Sequence, residues 1–118
     1  MTAFTPTSTP ATAPDQAAEY ARAQLFFDAK AYADAAPILA ALVAAEPANL
    51  AARLLLARSY YHSAQLTRAA AELHRVLEQD PAESYARLML GRTLERQGRP
   101  EEARPHLRLA AAMSGESG

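Results

Sequence analysis

The sequence predicts an all-α solenoid of three helix-turn-helix repeats, and two observations carry this prediction. The first is a period of 34 residues, which relates Pro47 to Pro81 and recurs at three further positions. Those positions are Ala23, Ala57 and Gly91; Ala35, Ala69 and Ala103; and Leu39, Leu73 and Leu107. The second is a pattern of apolar residues at helical spacing on both sides of a short turn within each period. A fixed period of this length is typical of units that bury their apolar faces by stacking on one another.

Three copies of the unit are predicted, at residues 16–49, 50–83 and 84–113. In the second copy, residues 50–63 place apolar side chains on one helical face, a turn follows near residues 64–65, and residues 67–79 form another amphipathic helix. Asp80-Pro81 ends that helix, because the residue before a proline is pushed out of the α region. In the third copy, Gly98-Arg99-Pro100 is predicted to form the inner turn, with Pro100 suited to a helix start.

Two further prolines lie within the predicted second helices. Pro37 and Pro105 occupy the same position of the first and third copies. Proline removes a backbone hydrogen bond from a helix interior and clashes with the preceding turn. We therefore expect these residues to shift the start of their helices or to bend their first turns.

The ends of the chain differ in composition from the repeats. Residues 1–14 are rich in Thr, Pro and Ala and are predicted to form a disordered tail, because they bury too little apolar surface to offset the entropy of ordering. Residues 15–113 form the predicted domain and residues 114–118 a flexible C-terminal tail. The N-terminus lacks the basic and apolar regions of a signal peptide. No apolar run approaches the ~20 residues of a membrane span. We therefore expect a cytoplasmic protein that does not contact a membrane.

The residue types needed for catalysis or metal binding are sparse. The chain has no Cys, and His62, His74 and His106 lie in different predicted helices without the spacing of metal ligands. No glycine-rich phosphate loop and no serine with a neighbouring base is present. The sequence pI of about 6.3 and the lack of a basic-aromatic motif argue against nucleic acid. We expect a protein that is not an enzyme and that carries no cofactor and no metal.

The repeat resembles the tetratricopeptide repeat, whose first helix contains Leu-Gly-x2-Tyr and whose second contains Ala-x3-Phe. The matching segments are Leu56-Ala57-x2-Tyr60 and Leu90-Gly91-x2-Leu94 in first helices, and Ala35-x3-Leu39, Ala69-x3-Leu73 and Ala103-x3-Leu107 in second helices. The resemblance implies a right-handed superhelix, a small residue at each helix crossing, and a protein-interaction function. One position departs from the pattern: Glu19, Arg53 and Arg87 stand where the family has a large apolar residue, so we expect looser packing there or contacts by arginine stems.

The resemblance also implies a concave groove lined by the first helix of each repeat. Residues at equivalent positions of those helices predict the groove residues: Tyr20, Gln24, Phe27, Arg58, Tyr61, His62, Tyr85, Arg92 and Arg96. Arg58 and His62, like Arg92 and Arg96, are separated by four residues and share a helix face. Arginine grips carboxylates bidentately, so the groove is expected to bind a peptide with acidic groups or a C-terminal carboxylate. His62 is expected to strengthen such binding below about pH 6.5. The protein is then an adaptor, scaffold or chaperone-like partner.

A second interpretation is structural self-assembly. Repeat arrays usually end in a polar capping element. The last predicted helix instead carries an apolar stripe of Leu109, Ala112 and Met113. Such an uncovered stripe invites a partner, and we expect dimer formation through this C-terminal edge. The peptide-binding interpretation also has an alternative, in which the arginines are only the solvated side of amphipathic helices.

Overall fold

The computed structural model describes residues 15–115, and these residues form six α-helices. The helices are α1 (Gln16–Asp28), α2 (Tyr32–Ala45), α3 (Leu50–His62), α4 (Leu66–Gln79), α5 (Ser84–Arg96) and α6 (Pro100–Met113). Each helix packs against the next in the chain, so three helix pairs stack in a line. The predicted fold class, an all-α right-handed solenoid of three helix-turn-helix repeats, is confirmed. The tail predicted for residues 1–14, and residues 116–118 of the predicted C-terminal tail, lie outside the described part of the chain.

The first helix of every repeat begins with an acidic or amide cap at the same repeat position. The Asp15 carboxylate accepts a hydrogen bond from the backbone N–H of Ala17 at 3.0 Å. The Asn49 side chain accepts from Ala52 N–H at 3.0 Å, and Glu83 accepts from Tyr85 N–H at 3.2 Å. These caps satisfy N–H groups that have no partner within the helix. The 34-residue register therefore also determines where helices begin.

The turn inside each repeat depends on one residue with a positive φ. Lys30 and Ala64 have φ of 62°, and Gly98 has φ of 78°. The three are equivalent by the 34-residue register. A helix commonly ends in this left-handed conformation, which glycine adopts at no steric cost. Only the third repeat supplies the glycine, so the first two repeats impose the turn on residues that disfavour it.

A small residue lies where the two helices of each repeat cross. Ala23, Ala57 and Gly91 are buried at this position. A methyl group added to Gly91 would lie 2.5 Å from Cδ2 of Leu107, which leaves no room for a larger side chain without movement. Helices in contact have axes ~8–10 Å apart, and small residues allow the closest approach. The crossing expected from the sequence is therefore present between α5 and α6.

Arginines stand at the position where this chain departs from the family pattern, and they make specific contacts. Arg53 is only 4% exposed, and its Nη1 donates a hydrogen bond to Glu72 Oε1 at 2.7 Å. Its Nη2 donates to the Pro47 carbonyl oxygen at 3.3 Å. Arg87, one repeat later, donates to the equivalent Pro81 carbonyl oxygen at 3.0 Å. The arginine head groups thus tie these first helices to the turn that precedes them, which stem packing alone does not explain.

The prolines inside second helices do not shift the helix starts. Pro37 lies in α2 and Pro105 in α6, yet α2, α4 and α6 begin 34 residues apart, at 32, 66 and 100. The expected shift of the helix starts is therefore absent, while the bend of the first turns stays a prediction. Pro37, and Ala33 four residues before it, are both exposed, so water can hydrate the carbonyl that loses its N–H partner.

Among residues 15–115, no helix is long and apolar enough to cross a membrane.

Replacing Ala57 with Leu tests the crossing. Ala57 is completely buried, so the larger side chain must push α3 and α4 apart. We expect the free energy of unfolding to fall by roughly 1–3 kcal/mol, measured by urea denaturation. Ala44→Leu, at an exposed position of α2, is the matched control and should change stability by less than about 0.5 kcal/mol. Equal midpoints for the two variants contradict the crossing.

Replacing Glu72 with Ala tests the buried ion pair. The change leaves the Arg53 guanidinium buried and without its carboxylate, and breaking such a pair costs about 3 kcal/mol or more. Glu78→Ala removes an exposed carboxylate from the same helix and should cost at most about 0.5 kcal/mol. Chemical denaturation measures both. A Glu72→Ala protein as stable as Glu78→Ala means that Arg53 is held by the Pro47 carbonyl and by its stem alone.

Candidate functional site

The predicted groove residues share one surface, formed by α1, α3 and α5 and called here the first-helix face. Arg58 on α3 lies at its centre. The Arg58 guanidinium carbon is 4.7 Å from the centre of the Phe27 ring on α1 and 5.6 Å from that of Tyr85 on α5. These are cation–π distances. One arginine therefore connects the first helices of all three repeats.

The aromatic part of this surface is a cluster around His62. The His62 ring stacks on Tyr32 with centroids 4.7 Å apart and an interplanar angle of 22°. Phe27 and Tyr61 approach the same ring edge-on at 5.8 and 5.4 Å. Tyr32 begins α2 and was missed by sequence reasoning, because the equivalent positions of the other repeats are Leu66 and Pro100 and show no aromatic pattern.

The arginines of the first-helix face differ in how they are held. Arg96 lies 4.6 Å from the centre of the Tyr61 ring, and its Nη1 donates to the Tyr61 carbonyl oxygen at 3.0 Å. Arg92 instead pairs with Glu95 at 3.1 Å, and both side chains are about half exposed. Arg58 and Arg96 have no ion-pair partner within residues 15–115. Within the predicted strip, the charge of Arg92 is therefore partly offset by a carboxylate from the same helix, and the charges of Arg58 and Arg96 are not.

The pKa of His62 responds to the positive charges on this surface. Burial of the imidazole lowers the pKa of His62 below its ordinary 6.5, and the nearby charges of Arg58 and Arg96 lower it further. The expectation that His62 gains its charge below about pH 6.5 is therefore corrected to a lower pH. A bound carboxylate near the two arginines opposes this effect, because it favours the charged imidazole.

A cavity of about 250 Å³ opens beside Arg58. Its lining comes from α1 and α3: Tyr20, Gln24, Phe27, Asp28, Ala51, Leu54, Leu55 and Arg58. Pockets that bind small-molecule ligands usually measure ~300–1,000 Å³. The cavity lies near the lower end of that range and has room for one side chain of a bound peptide. The Nε atom of Arg58 is buried and has no hydrogen-bond partner in the described chain.

The other sequence-predicted residues lie at the C-terminal end of the array. Leu109 is 45% exposed, Ala112 is exposed and Met113 is half-buried on α6. A cavity of about 300 Å³ lies between α5 and α6. Its lining residues are Ser84, Tyr85, Leu88, Arg92, Leu107, Ala110, Ala111 and Ser114. None of the three stripe residues lines it, so the apolar depression at this end is adjacent to the predicted stripe and contains Tyr85 and Arg92 of the first-helix face.

The remaining reactive side chains have structural surroundings. Ser59 and Thr93 are buried, and their hydroxyls donate to the carbonyl oxygens of Leu55 and Met89 in their own helices. His106 is half-buried, and burial together with the charge of Arg87 lowers its pKa. Among residues 15–115, no three His, Asp or Glu side chains gather at a metal-binding distance. The described residues thus bring together cationic and aromatic groups on one face.

Comparison with protein families decides the identity of the repeats. A tetratricopeptide repeat model matches residues 26–85 and residues 63–115. The chain belongs to the tetratricopeptide repeat family. A tetratricopeptide repeat protein is typically an interaction module that binds other proteins and has no catalytic activity, and the fold of this chain supports protein partners. Comparison with curated proteins finds no match.

Solved structures of MamA are similar to this tetratricopeptide repeat chain. MamA of Desulfovibrio magneticus RS-1, from residue 41 to its end, is 27% identical with a TM-score of 0.79, over 86% of this chain and 57% of that chain. A MamA point mutant is 24% identical with a TM-score of 0.81, over 86% and 74% of the two chains. MamA AMB-1 is 21% identical with a TM-score of 0.83, over 87% and 61%. This chain therefore spans little more than half the length of the first of these structures.

Proposed function

We propose that this protein is a non-catalytic adaptor, scaffold or chaperone-like module whose first-helix face binds a peptide carrying acidic groups or a C-terminal carboxylate. The observation that carries the proposal is Arg58, held between Phe27 and Tyr85 with no carboxylate partner in residues 15–115. The two neighbouring rings limit the conformations of the guanidinium before any ligand arrives. Less entropy is then lost on binding, which favours affinity.

The charge of this surface supports an anionic ligand. Arg58 and Arg96 both disfavour a proton on His62, so their positive potentials overlap at the imidazole. The whole chain has a formal net charge of only -1, so the positive field is local. An arginine fork can hold a carboxylate through two parallel hydrogen bonds, which are stronger than bonds between neutral groups. The surface is therefore suited to a carboxylate between Arg58 and Arg96.

The cavity beside Arg58 limits which side chains the bound peptide can carry. Tyr20, Phe27 and Leu54 give it apolar surface, while Gln24, Asp28 and Arg58 give it a nearly equal share of polar surface. A bulky apolar side chain next to an acidic residue or the chain terminus satisfies both features. Asp28 disfavours a second carboxylate inside the cavity itself, because like charges repel at short range. The proposed ligand thus has its acidic group over Arg58 and an apolar side chain towards α1.

Removing Arg58 is the central test. A charge-assisted hydrogen bond contributes about 1.5–3 kcal/mol, so Arg58→Ala should weaken binding roughly ten- to a hundredfold. Short fluorescent peptides with a bulky apolar residue beside a free C-terminal carboxylate are titrated by polarisation at low salt. The same peptides with an amidated C-terminus are the ligand control and should bind more weakly. Binding to the wild type should also weaken as salt is added, because exposed charges are screened.

Arg68→Ala is the matched protein control for this experiment. Arg68 also lies over a tyrosine, 5.9 Å from the centre of the Tyr60 ring, but it belongs to α4. It should leave peptide affinity unchanged, and thermal melts should show that both variants are folded. Equal affinities of the wild type and Arg58→Ala, or a preference for amidated peptides, contradict the proposal and leave the arginines as a solvated face.

Binding should depend on pH through His62. The pKa of His62 is lowered in the unbound protein, and a bound carboxylate raises it, so complex formation takes up protons. Affinity should therefore rise as pH falls from neutrality towards about pH 5. His62→Gln should flatten this rise, while His74→Gln on α4 should not. Titrations at several pH values measure how affinity changes with pH. An identical change in the His62 variant contradicts a role of the imidazole in binding.

A further inference from the structure

The two ends of the array expose the surfaces that repeats use to stack inside the chain. On α3, the residues towards the first repeat are Ala52, Leu55 and Ser59, and all are buried. On α5, the equivalents Ala86, Met89 and Thr93 are also buried. The equivalents on α1 are Ala18, Ala21 and Leu25, which are all exposed, and Leu25 is 71% exposed. The first helix therefore leaves open the face that every later first helix buries.

The C-terminal end leaves open the complementary surface. In the second repeat, Leu73, Val76 and Leu77 of α4 pack with Ala86 and Met89 of α5 in one apolar cluster. The third repeat has Leu107, Ala110 and Ala111 at the positions equivalent to those of α4. These three residues line the 300 Å³ cavity between α5 and α6, where Leu107 and Ala111 are half-buried and Ala110 is buried at its base. The cavity thus lies where a further first helix would pack if the array continued.

Each end face carries alanine where the inner repeats have larger side chains, and one leucine, Leu25 on α1 or Leu107 on α6. Ala21 stands where α3 and α5 have Leu55 and Met89, and Ala110 and Ala111 stand where α4 has Val76 and Leu77. Helices with small residues at their contact approach to the lower end of the ~8–10 Å range of axial distances. At these alanines the two faces can therefore pack closely on each other.

The charges of the repeats are also complementary from end to end. The first repeat, from Asp15 to residue 49, carries five acidic and two basic side chains. Residues 50–83 carry four of each, and residues 84–115 carry three acidic and six basic side chains. The net charge therefore runs from -3 through 0 to +3 along the array. When two copies meet end to end, the acidic first repeat of one faces the basic third repeat of the other, and unlike ends attract.

From this register and this charge gradient we infer that copies of the chain stack head to tail. Within the chain, α5 packs on α3 and α4. In the proposed contact, α1 of one copy packs in the same way on α5 and α6 of the next copy. The interface uses different surfaces on the two copies, so it does not close into a symmetric dimer and produces linear oligomers. It also places the first-helix faces of successive copies side by side, because Tyr85 and Arg92 line the same cavity. This inference goes beyond peptide binding and does not depend on it.

Sedimentation velocity of the full chain over a range of concentrations tests the inference. The wild type should form dimers and longer species at low salt and lose them as salt is added. Leu25→Glu and Ala111→Glu should each abolish association, with a loss of affinity of about tenfold or more for a charge placed in an apolar contact. Arg104→Glu, an exposed change that makes the basic end more acidic, should also weaken association without a risk to folding.

Leu109→Glu is the matched control on the same helix. Leu109 is exposed on α6 but is equivalent to Arg75, which remains exposed in the second repeat although another repeat follows it. The variant should therefore weaken association only through the one negative charge that it adds to the basic end, and much less than Ala111→Glu does. If Leu109→Glu alone abolishes association, the predicted stripe of Leu109, Ala112 and Met113 is the contact, and the head-to-tail arrangement is wrong.

Mixing the two blocked variants distinguishes a head-to-tail contact from a symmetric one. The Leu25→Glu protein retains an intact C-terminal end, and the Ala111→Glu protein retains an intact first helix. The mixture should therefore form a one-to-one dimer that grows no further. If Ala111→Glu does not fold, Arg104→Glu takes its place in the mixture. A wild type that is monomeric at every concentration, or a Leu25→Glu protein that still associates by itself, overturns the inference.

Discussion

Close approach of two helices at a small residue is the contact on which the rest of this molecule depends. Ala23, Ala57 and Gly91 let each first helix lie against its own second helix, and the leucine from that second helix covers the crossing. A helix pair of this size cannot enclose its own apolar residues, so each pair must also pack on the next. Stability is therefore distributed along the array instead of being concentrated in one core. A change at one crossing weakens the contacts of two neighbouring repeats.

Two kinds of surface take no part in these helix crossings. One is the first-helix face, where Arg58 contacts Phe27 and Tyr85 of the other two repeats. The other is the pair of open ends, which keep a stacking geometry that no residue in 15–115 uses. Function in a repeat protein is expected on such surfaces, because their residues can vary while the frame is retained. Peptide binding on the face and association through the ends are therefore compatible in one molecule.

Electrostatics separates the arginines of this chain by their surroundings. Arg53 is buried with Glu72 and the Pro47 carbonyl, so its charge is satisfied internally. Arg92 shares its charge with Glu95 at the surface, where such pairs contribute little to stability. Arg58 and Arg96 lie on aromatic rings, which hold a guanidinium without neutralising it. Their charge stays available for a partner on the first-helix face, whereas Arg68, which lies on the Tyr60 ring, belongs to α4.

The sequence by itself determined the repeat, the helix order and the positions of the small crossing residues, because these follow from a local period that is independent of distant contacts. It also placed the candidate arginines on one helix face. Only the tertiary structure decided that Arg58 lies between rings of two other repeats, that Tyr32 joins His62, and that Arg53 meets Glu72. These contacts join residues from different helices through particular side-chain rotamers. A spacing rule along the chain carries no information on such contacts, since it describes one helix at a time.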